Sequence, residues 1–201
     1  MKAIFFLLVF LSTPVMSKTI ILAGDSHLAD NPELQGHNYH STQMIADGTN
    51  AEVINVGVGG FKTWQLLDQV QEFIASGGEF EPETTVVIDI GLPDFYVNTS
   101  PREIYCNLDQ VITLLEDNNV RVILSGSPEA HNNSEIGQQE DISYLYYRLQ
   151  DNHPGLEVVN IMAELLPQSQ YHDDDPIHLN GFGYFQFNLK LIEVYNNEKR
   201  P

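Results

Sequence analysis

The sequence predicts an α/β protein, a three-layer α/β/α sandwich around a five-stranded parallel sheet in the order 2-1-3-4-5, the flavodoxin-like arrangement. Three observations predict it. Short apolar runs alternate with helix-periodic ones along the whole chain, giving β-α-β-α-β-α-β-α-β-α, and such alternation builds a parallel sheet with helices on both faces. The run Thr85–Ile90 has almost no polar face, as expected of a central strand buried on both sides. Neither an internal repeat nor a linker divides the chain, so one domain over residues 18–201 is expected.

Each element follows from its own residues. Thr19–Ala23 is the first strand, short and apolar, and Asp30–Gly36 is a turn-rich loop around Asn31–Pro32. Tyr39–Ala46 reads as a helix ended by Asp47–Gly48, and Ala51–Val56 as the second strand, followed by Gly57–Val58–Gly59–Gly60. In Thr63–Ile74 the apolar residues fall at i, i+3, i+4 and i+7, the stripe of an amphipathic helix, and Ser76–Gly77–Gly78 stops it. After the third strand, Pro101 opens a helix with Ile104, Leu108, Val111, Ile112 and Leu115 on one face; proline suits a first helical turn. Val120–Leu124 is the fourth strand, Ser127–Gln138 a polar loop, Glu140–Gln150 a helix and Leu156–Asn160 the fifth strand. A short helical turn near Met162–Leu166, an acidic loop Gln168–Asp175 and a last helix Gly181–Asn196 complete the chain.

The first residues stand apart. Lys2 precedes an unbroken apolar run, Ile4 to Leu11, and Val15–Met16–Ser17 offers a cleavable end. This is the layout of a secretory signal peptide over residues 1–17, with an apolar core too short for a permanent transmembrane anchor. Export to the periplasm or the medium is therefore expected. The net charge of −19 speaks against nucleic acid or an anionic membrane surface as the main partner. Cys106 is the only cysteine, so no intrachain disulfide forms, and the 42% hydrophobic content must supply the stability. Cys106 itself is expected to be a small buried apolar residue.

Chemistry is expected at one sheet edge. In Ile20–Ile21–Leu22–Ala23–Gly24–Asp25–Ser26–His27 a strand breaks at a glycine and a serine follows. The C-terminal end of a first strand is where open α/β sheets present reacting groups, and a serine there becomes a nucleophile when a base lies within reach. Asp175–Pro176–Ile177–His178, just before the last helix, supplies one. A carboxylate three residues ahead of an imidazole can bond one ring nitrogen and leave the other free as general base. Ser26, Asp175 and His178 thus form a Ser…Asp…His set in chain order.

On these residues the chain resembles the SGNH, or GDSL-type, serine hydrolase superfamily over nearly the whole of residues 18–201. Gly24–Asp25–Ser26 is similar to the nucleophile block, Asn55-x-Gly57-x-Gly59–Gly60 to the second block, and Asp175–Pro176–Ile177–His178 to the last. The resemblance implies an esterase with Ser26 as nucleophile and an oxyanion hole from the Ser26 and Gly60 amides. Two positions depart from the pattern. His27 stands where Leu is commoner. In the third block, Gly91–Leu92–Pro93–Asp94, Pro93 replaces the oxyanion-hole Asn. Proline has neither a side-chain donor nor a backbone N–H, and losing one such donor typically lowers rates on the order of 100–1,000-fold. Asn98, a few residues on, is a candidate to reach back in its place.

The substrate implied is a small-molecule, lipid or glycan ester, with Phe61, Trp64, Phe95 and Tyr96 as candidate walls for an acyl chain or a sugar face; core packing is the alternative role for these aromatics. Acyl transfer to a glycan hydroxyl and a non-catalytic accessory role are the rival functions. Gly57–Gly60 lacks the Lys-Ser/Thr that a phosphate-binding loop adds. His172–Asp173–Asp174–Asp175 with His178 offers metal-ligating groups, yet no spacing matches a closed site, so neither metal nor cofactor is expected. His37, His40, His131 and His153 stand alone in loops and call for no role. Asn98–Thr99–Ser100 and Asn132–Asn133–Ser134 fit the glycosylation pattern but are read as chance matches beside a bacterial-style leader.

Overall fold

The computed structural model describes residues 18–29, 41–125, 145–159, 161–165, 169–171 and 178–197. The expected leader over residues 1–17, the expected loops over 30–36 and 127–138, the acidic run at 172–175 and Asp175 itself lie outside these residues.

Five parallel strands form one sheet in the order β2-β1-β3-β4-β5, with β1 at Thr19–Gly24, β2 at Glu52–Asn55, β3 at Thr84–Asp89, β4 at Arg121–Leu124 and β5 at Glu157–Val158. This is the predicted order. Every residue of β3 is buried, as expected of a run with almost no polar face, and this includes Asp89 at its end. The helices are α1 (Ser41–Thr49), α2 (Thr63–Ala75), α3 (Leu92–Tyr96), α4 (Pro101–Asp117), α5 (residues 145–152), α6 (Ile161–Leu165) and α7 (Gly181–Asn196), with a 3-10 turn at Ser169–Tyr171.

Alternation along the strands divides the core in two. Ala23, Val86, Ile88, Val122 and Leu124 face α2, α4 and α5, where they meet Leu66, Ile104, Leu108, Val111 and Tyr146. Ile20, Leu22, Val87 and Ile123 face the other way, against Ile45 of α1 and Phe187, Leu191 and Tyr195 of α7. The stripe read from α4 is the buried one, and Ser100 caps that helix by accepting from the Glu103 amide at 3.2 Å, with Pro101 behind it.

Four expectations are corrected. The first helix does not stop at Asp47–Gly48 but runs to Thr49. Gly48 is there for close approach: a Cβ on it would lie 2.6 Å from the Ile192 side chain of α7, and Asn50, at φ 53°, makes the turn instead. Cys106 is exposed, because it sits off the buried stripe of α4. His153 is no idle loop histidine; it is buried, with Nδ1 2.7 Å from Glu116 and Nε2 3.2 Å from Asp109, and it fastens the end of α5 to α4. The third block is itself a short helix, α3, which the sequence reading leaves without secondary structure.

Candidate active site

The parallel sheet brings the ends of β1, β2 and β3 to one edge. Gly24 closes β1 because no side chain fits there: a Cβ would stand 1.9 Å from the Asp89 carbonyl oxygen of β3. That carbonyl accepts from the Asp25 amide at 3.0 Å, and the amides of Leu28 and Ala29 bond back to the Asp25 carbonyl at 3.2 and 2.9 Å. The chain therefore turns tightly over the strand end, with Ser26 at its crest.

The segment after β2 is tied to this turn. Asn55 donates to the Leu28 carbonyl at 2.6 Å and accepts from the Gly57 amide at 2.9 Å, while the Val58 amide donates to the Gly24 carbonyl at 2.9 Å. Gly57 passes so close to Leu28 and Ala29 that a Cβ would meet the Ala29 nitrogen at 2.8 Å. Gly60 follows in an exposed turn at φ 72°, a conformation glycine adopts without strain. Among the described residues neither the Gly60 nor the Ser26 amide donates to an acceptor.

His178 reaches the same edge from the other end of the chain. Asn180 caps α7 by accepting from the Phe182 and Gly183 amides at 3.1 and 2.9 Å. Its own amide donates to the Tyr171 carbonyl at 2.7 Å, anchoring the approach to α7 on the 3-10 turn. The result is a contact between Ser26 Oγ and His178 Nε2 at 2.9 Å, across 152 positions of sequence. With a neutral imidazole whose Nε2 is unprotonated, the serine hydroxyl donates to that nitrogen, the alignment that proton abstraction needs.

The third block contributes differently. Gly91, at φ 125°, starts α3; Pro93 is half-buried in its first turn and Asp94 is buried. Asp94 accepts from the Thr63 amide at 2.9 Å and the Thr63 hydroxyl at 2.8 Å, and Asn107 donates to that hydroxyl at 3.1 Å. Burial raises the Asp94 carboxyl above its ordinary value, and the two Thr63 hydrogen bonds oppose the rise. Asn98 lies beyond the far end of α3, exposed and at φ 59°.

Beneath Ser26 is a buried polar cluster that the sequence reading does not assemble. His27, 2% exposed, places Nδ1 3.0 Å from Asp25 Oδ1 and 3.5 Å from Asp89 Oδ1. Ser125, just past β4, donates to Asp89 Oδ2 at 2.5 Å, and the His27 amide donates to Asp25 Oδ1 at 3.1 Å. Burial alone would lower the His27 value, but the charges of Asp25 and Asp89 outweigh it and hold the imidazole well above 6.5. Burial raises Asp89 despite His27 and Ser125, and the Asp25 charge adds to the rise. One ligand-type atom from each of Asp25, His27 and Asp89 lies within 4.8 Å of the others. A protonated His27 supplies the positive charge that balances two carboxylates in that space. The signals in the sequence are His27 in place of the commoner Leu and an Asp at the end of the nearly apolar β3 run.

The candidate substrate aromatics separate into two pairs. Phe61 and Phe95 are partly buried and pack against the core, while Trp64 and Tyr96 are exposed, together with Val58, Val97 and Phe182. An apolar cavity of about 380 Å³ lies elsewhere, between α2 and strands β1–β3, lined by Ile21, Ile54, Val70, Phe73 and Val86; neither Ser26 nor His178 lines it. No helix among the described residues is long and apolar enough to cross a membrane.

The Ser26 turn, the glycine-bearing second loop and the histidine before the last helix thus gather at one edge of a 2-1-3-4-5 parallel sheet. A sequence profile of the GDSL-like lipase/acylhydrolase family matches residues 22–184, and the chain belongs to that family. Comparison with curated proteins gives no match. Among solved structures, the chain is similar to a lipolytic protein of the G-D-S-L family from Veillonella parvula at 18% identity and a TM-score of 0.72, covering 90% of this chain and 100% of that one. It is similar to the psychrotrophic esterase EstA from Pseudoalteromonas sp., in a structure inhibited by monoethylphosphonate, at 14% identity and a TM-score of 0.66, covering 90% and 100%. The acetyl xylan esterase AlAXEase aligns at 19% identity and a TM-score of 0.68, covering 88% and 98%.

Proposed function

We propose that the protein is an exported serine esterase. The observation that carries the reading is the 2.9 Å contact of Ser26 Oγ with His178 Nε2; the amides of Ser26 and Gly60 donate to no acceptor among the described residues. In the proposed cycle Ser26 attacks the ester carbonyl while His178 takes its proton. The oxyanion rests on the Ser26 and Gly60 amides, and Pro93, standing where the family's Asn would, adds no donor. His178 returns the proton to the departing alcohol, and water, activated by the same ring, releases the acid from Ser26. Asp175 is assigned the orienting role from its place three residues before His178.

The exposed faces of Trp64 and Tyr96 support substrates with an apolar or sugar surface near the ester. One of the similar structures is an acetyl xylan esterase, and acetylated glycans join short acyl esters as the class to test. The same aromatics favour a second reading, acyl transfer to a glycan hydroxyl. Export rests on the basic and apolar leader over residues 1–17.

The test is turnover of p-nitrophenyl acetate by protein beginning at Lys18, beside Ser26→Ala. The expected result is turnover by the parent and a fall of roughly 1,000-fold or more in kcat for the variant. Equal activity in the two would overturn the reading. An acetyl-ester hydrolysis rate that falls while an added glycan becomes acetylated would favour transfer, and absence of Ser26 labelling by a fluorophosphonate would point to an accessory protein.

A further inference from the structure

We propose that His27 is a positioning residue: its buried ring ties the turn that carries Ser26 to strands β3 and β4 and backs the ring of His178. The inference rests on the esterase reading and deepens it.

The geometry is specific. His27 follows the nucleophile directly, yet it is buried, and so are its two acidic neighbours. Nδ1 stands between Asp25 of its own turn and Asp89 of β3, and Asp89 is held in turn by the Ser125 hydroxyl at the end of β4. One ring thereby links three strand ends. Its centroid is 5.6 Å from that of His178, tilted by 46°, so the ring that supports the nucleophile turn also forms a wall against the base.

Charge explains why a histidine serves here. Asp25 Oδ2 and Asp89 Oδ1 accept no hydrogen bond among the described residues, and His27 Nδ1 meets the two carboxylates as ion pairs rather than as aligned hydrogen bonds; two adjacent buried carboxylates repel unless a cation stands between them. A protonated His27 is that cation. Among the described residues, the other polar groups around it include the Ser125 hydroxyl, the His178 ring and the Tyr146 phenol of α5, which burial holds well above its ordinary value and which donates to the Ile90 carbonyl. Asp94 of α3 acts on the cluster only through its charge, at longer range. Among the described residues, no Lys or Arg is in this set. If His27 is replaced by a neutral group, Asp25 and Asp89 are left to repel, the turn beneath Ser26 loses its anchor, and His178 gains uncompensated negative charge beside it.

The experiment uses protein beginning at Lys18 with Ser26→Ala, His27→Phe and His27→Asn, measuring kcat and KM for p-nitrophenyl acetate from pH 5 to 9, with folding checked by circular dichroism. His27→Phe keeps a ring without donor or charge. His27→Asn keeps a donor near the Nδ1 position without the charge or the ring. The expected results are a kcat about 30-fold lower for His27→Phe and about 5-fold lower for His27→Asn, KM within about 3-fold in both. The acid limb of kcat/KM moves to higher pH in both variants. Nitrogen-15 NMR of histidine-labelled protein supplies a readout independent of turnover: one imidazolium persists at pH 8 and is missing from His27→Asn. That measurement and the Asn variant decide the matter if His27→Phe does not fold.

Folded variants with parental kcat and an unmoved pH profile, or a His27 ring that is neutral at pH 7, would overturn the proposal while a dead Ser26→Ala leaves the esterase reading intact. Turnover that survives Ser26→Ala would instead overturn the esterase reading, and the proposal with it.

Discussion

Asp94 grips Thr63 at two points, accepting from its amide at 2.9 Å and its hydroxyl at 2.8 Å, and so fixes the start of α2 from the short helix α3. The amide at a first helical position has no partner within its own helix, and here a carboxylate from another element supplies one. Gln65 completes the cap by accepting from the Lys62 amide at 3.1 Å. The acidic residue of the third block thus holds together the two loops that flank Ser26. Asp94→Ala is expected to lower stability by roughly 2–3 kcal/mol in urea unfolding at pH 7, because two hydrogen bonds to a charged group are lost and buried donors are left behind. Asp94→Asn, which keeps one acceptor, should lose about half as much. Equal stability in all three proteins would place the anchoring of α2 elsewhere.

Pro93 gives a second prediction, with activity and stability moving in opposite directions. It occupies the first turn of α3, where a proline ring suits the backbone and its missing amide leaves no helical bond unmade. Under the proposed function it also leaves the oxyanion with two amide donors. Pro93→Asn should raise kcat for p-nitrophenyl acetate by about 10-fold or more with KM little changed, since a donor that acts on the transition state appears in kcat. Loss of the ring's restriction on the unfolded chain should lower stability by about 0.4–1 kcal/mol. An unchanged kcat would mean that the asparagine side chain does not reach the reacting oxygen.

The fold was legible because its signals are periodic. A nearly apolar β3, the spaced stripe of α4 and the glycine that closes β1 are local patterns, and parallel pairing follows from the alternation of strands and helices. The meeting of Ser26 with His178 was legible for a topological reason: strand ends and the start of the last helix share one edge. The His27 cluster was not. Its members are spread over residues 25, 27, 89 and 125; His27 in the first block and Asp89 in an apolar run stand out singly, but only the register that sets Gly24 beside Asp89 brings them together. Gly48 misled for a related reason, since a glycine that ends a helix and one that admits a neighbouring side chain are identical in sequence. Cys106 is exposed although cysteine is commonly buried, because position on the helix outweighs residue type. His153 looked solitary because Asp109 and Glu116 lie on a different helix.

The buried cluster also sets a pH dependence of stability. His27 is held well above 6.5 in the folded protein, so folding favours its protonated form. The stability this contributes is fully present below the unfolded value of about 6.5 and is lost as pH rises through the folded value. Asp89, whose carboxyl is raised by burial, acts in the same direction: keeping it ionised costs the folded state more than the unfolded one, so acid relieves it. Unfolding free energy measured by urea should therefore fall from pH 6.5 upward, with a slope approaching about 1.4 kcal/mol per pH unit while the folded state alone retains the His27 proton. His27→Asn removes that proton, and its curve should be flatter over the same range although its stability at pH 6 is lower. If parent and variant lose stability in parallel above pH 6.5, the proton resides elsewhere and the charge assigned to His27 is wrong.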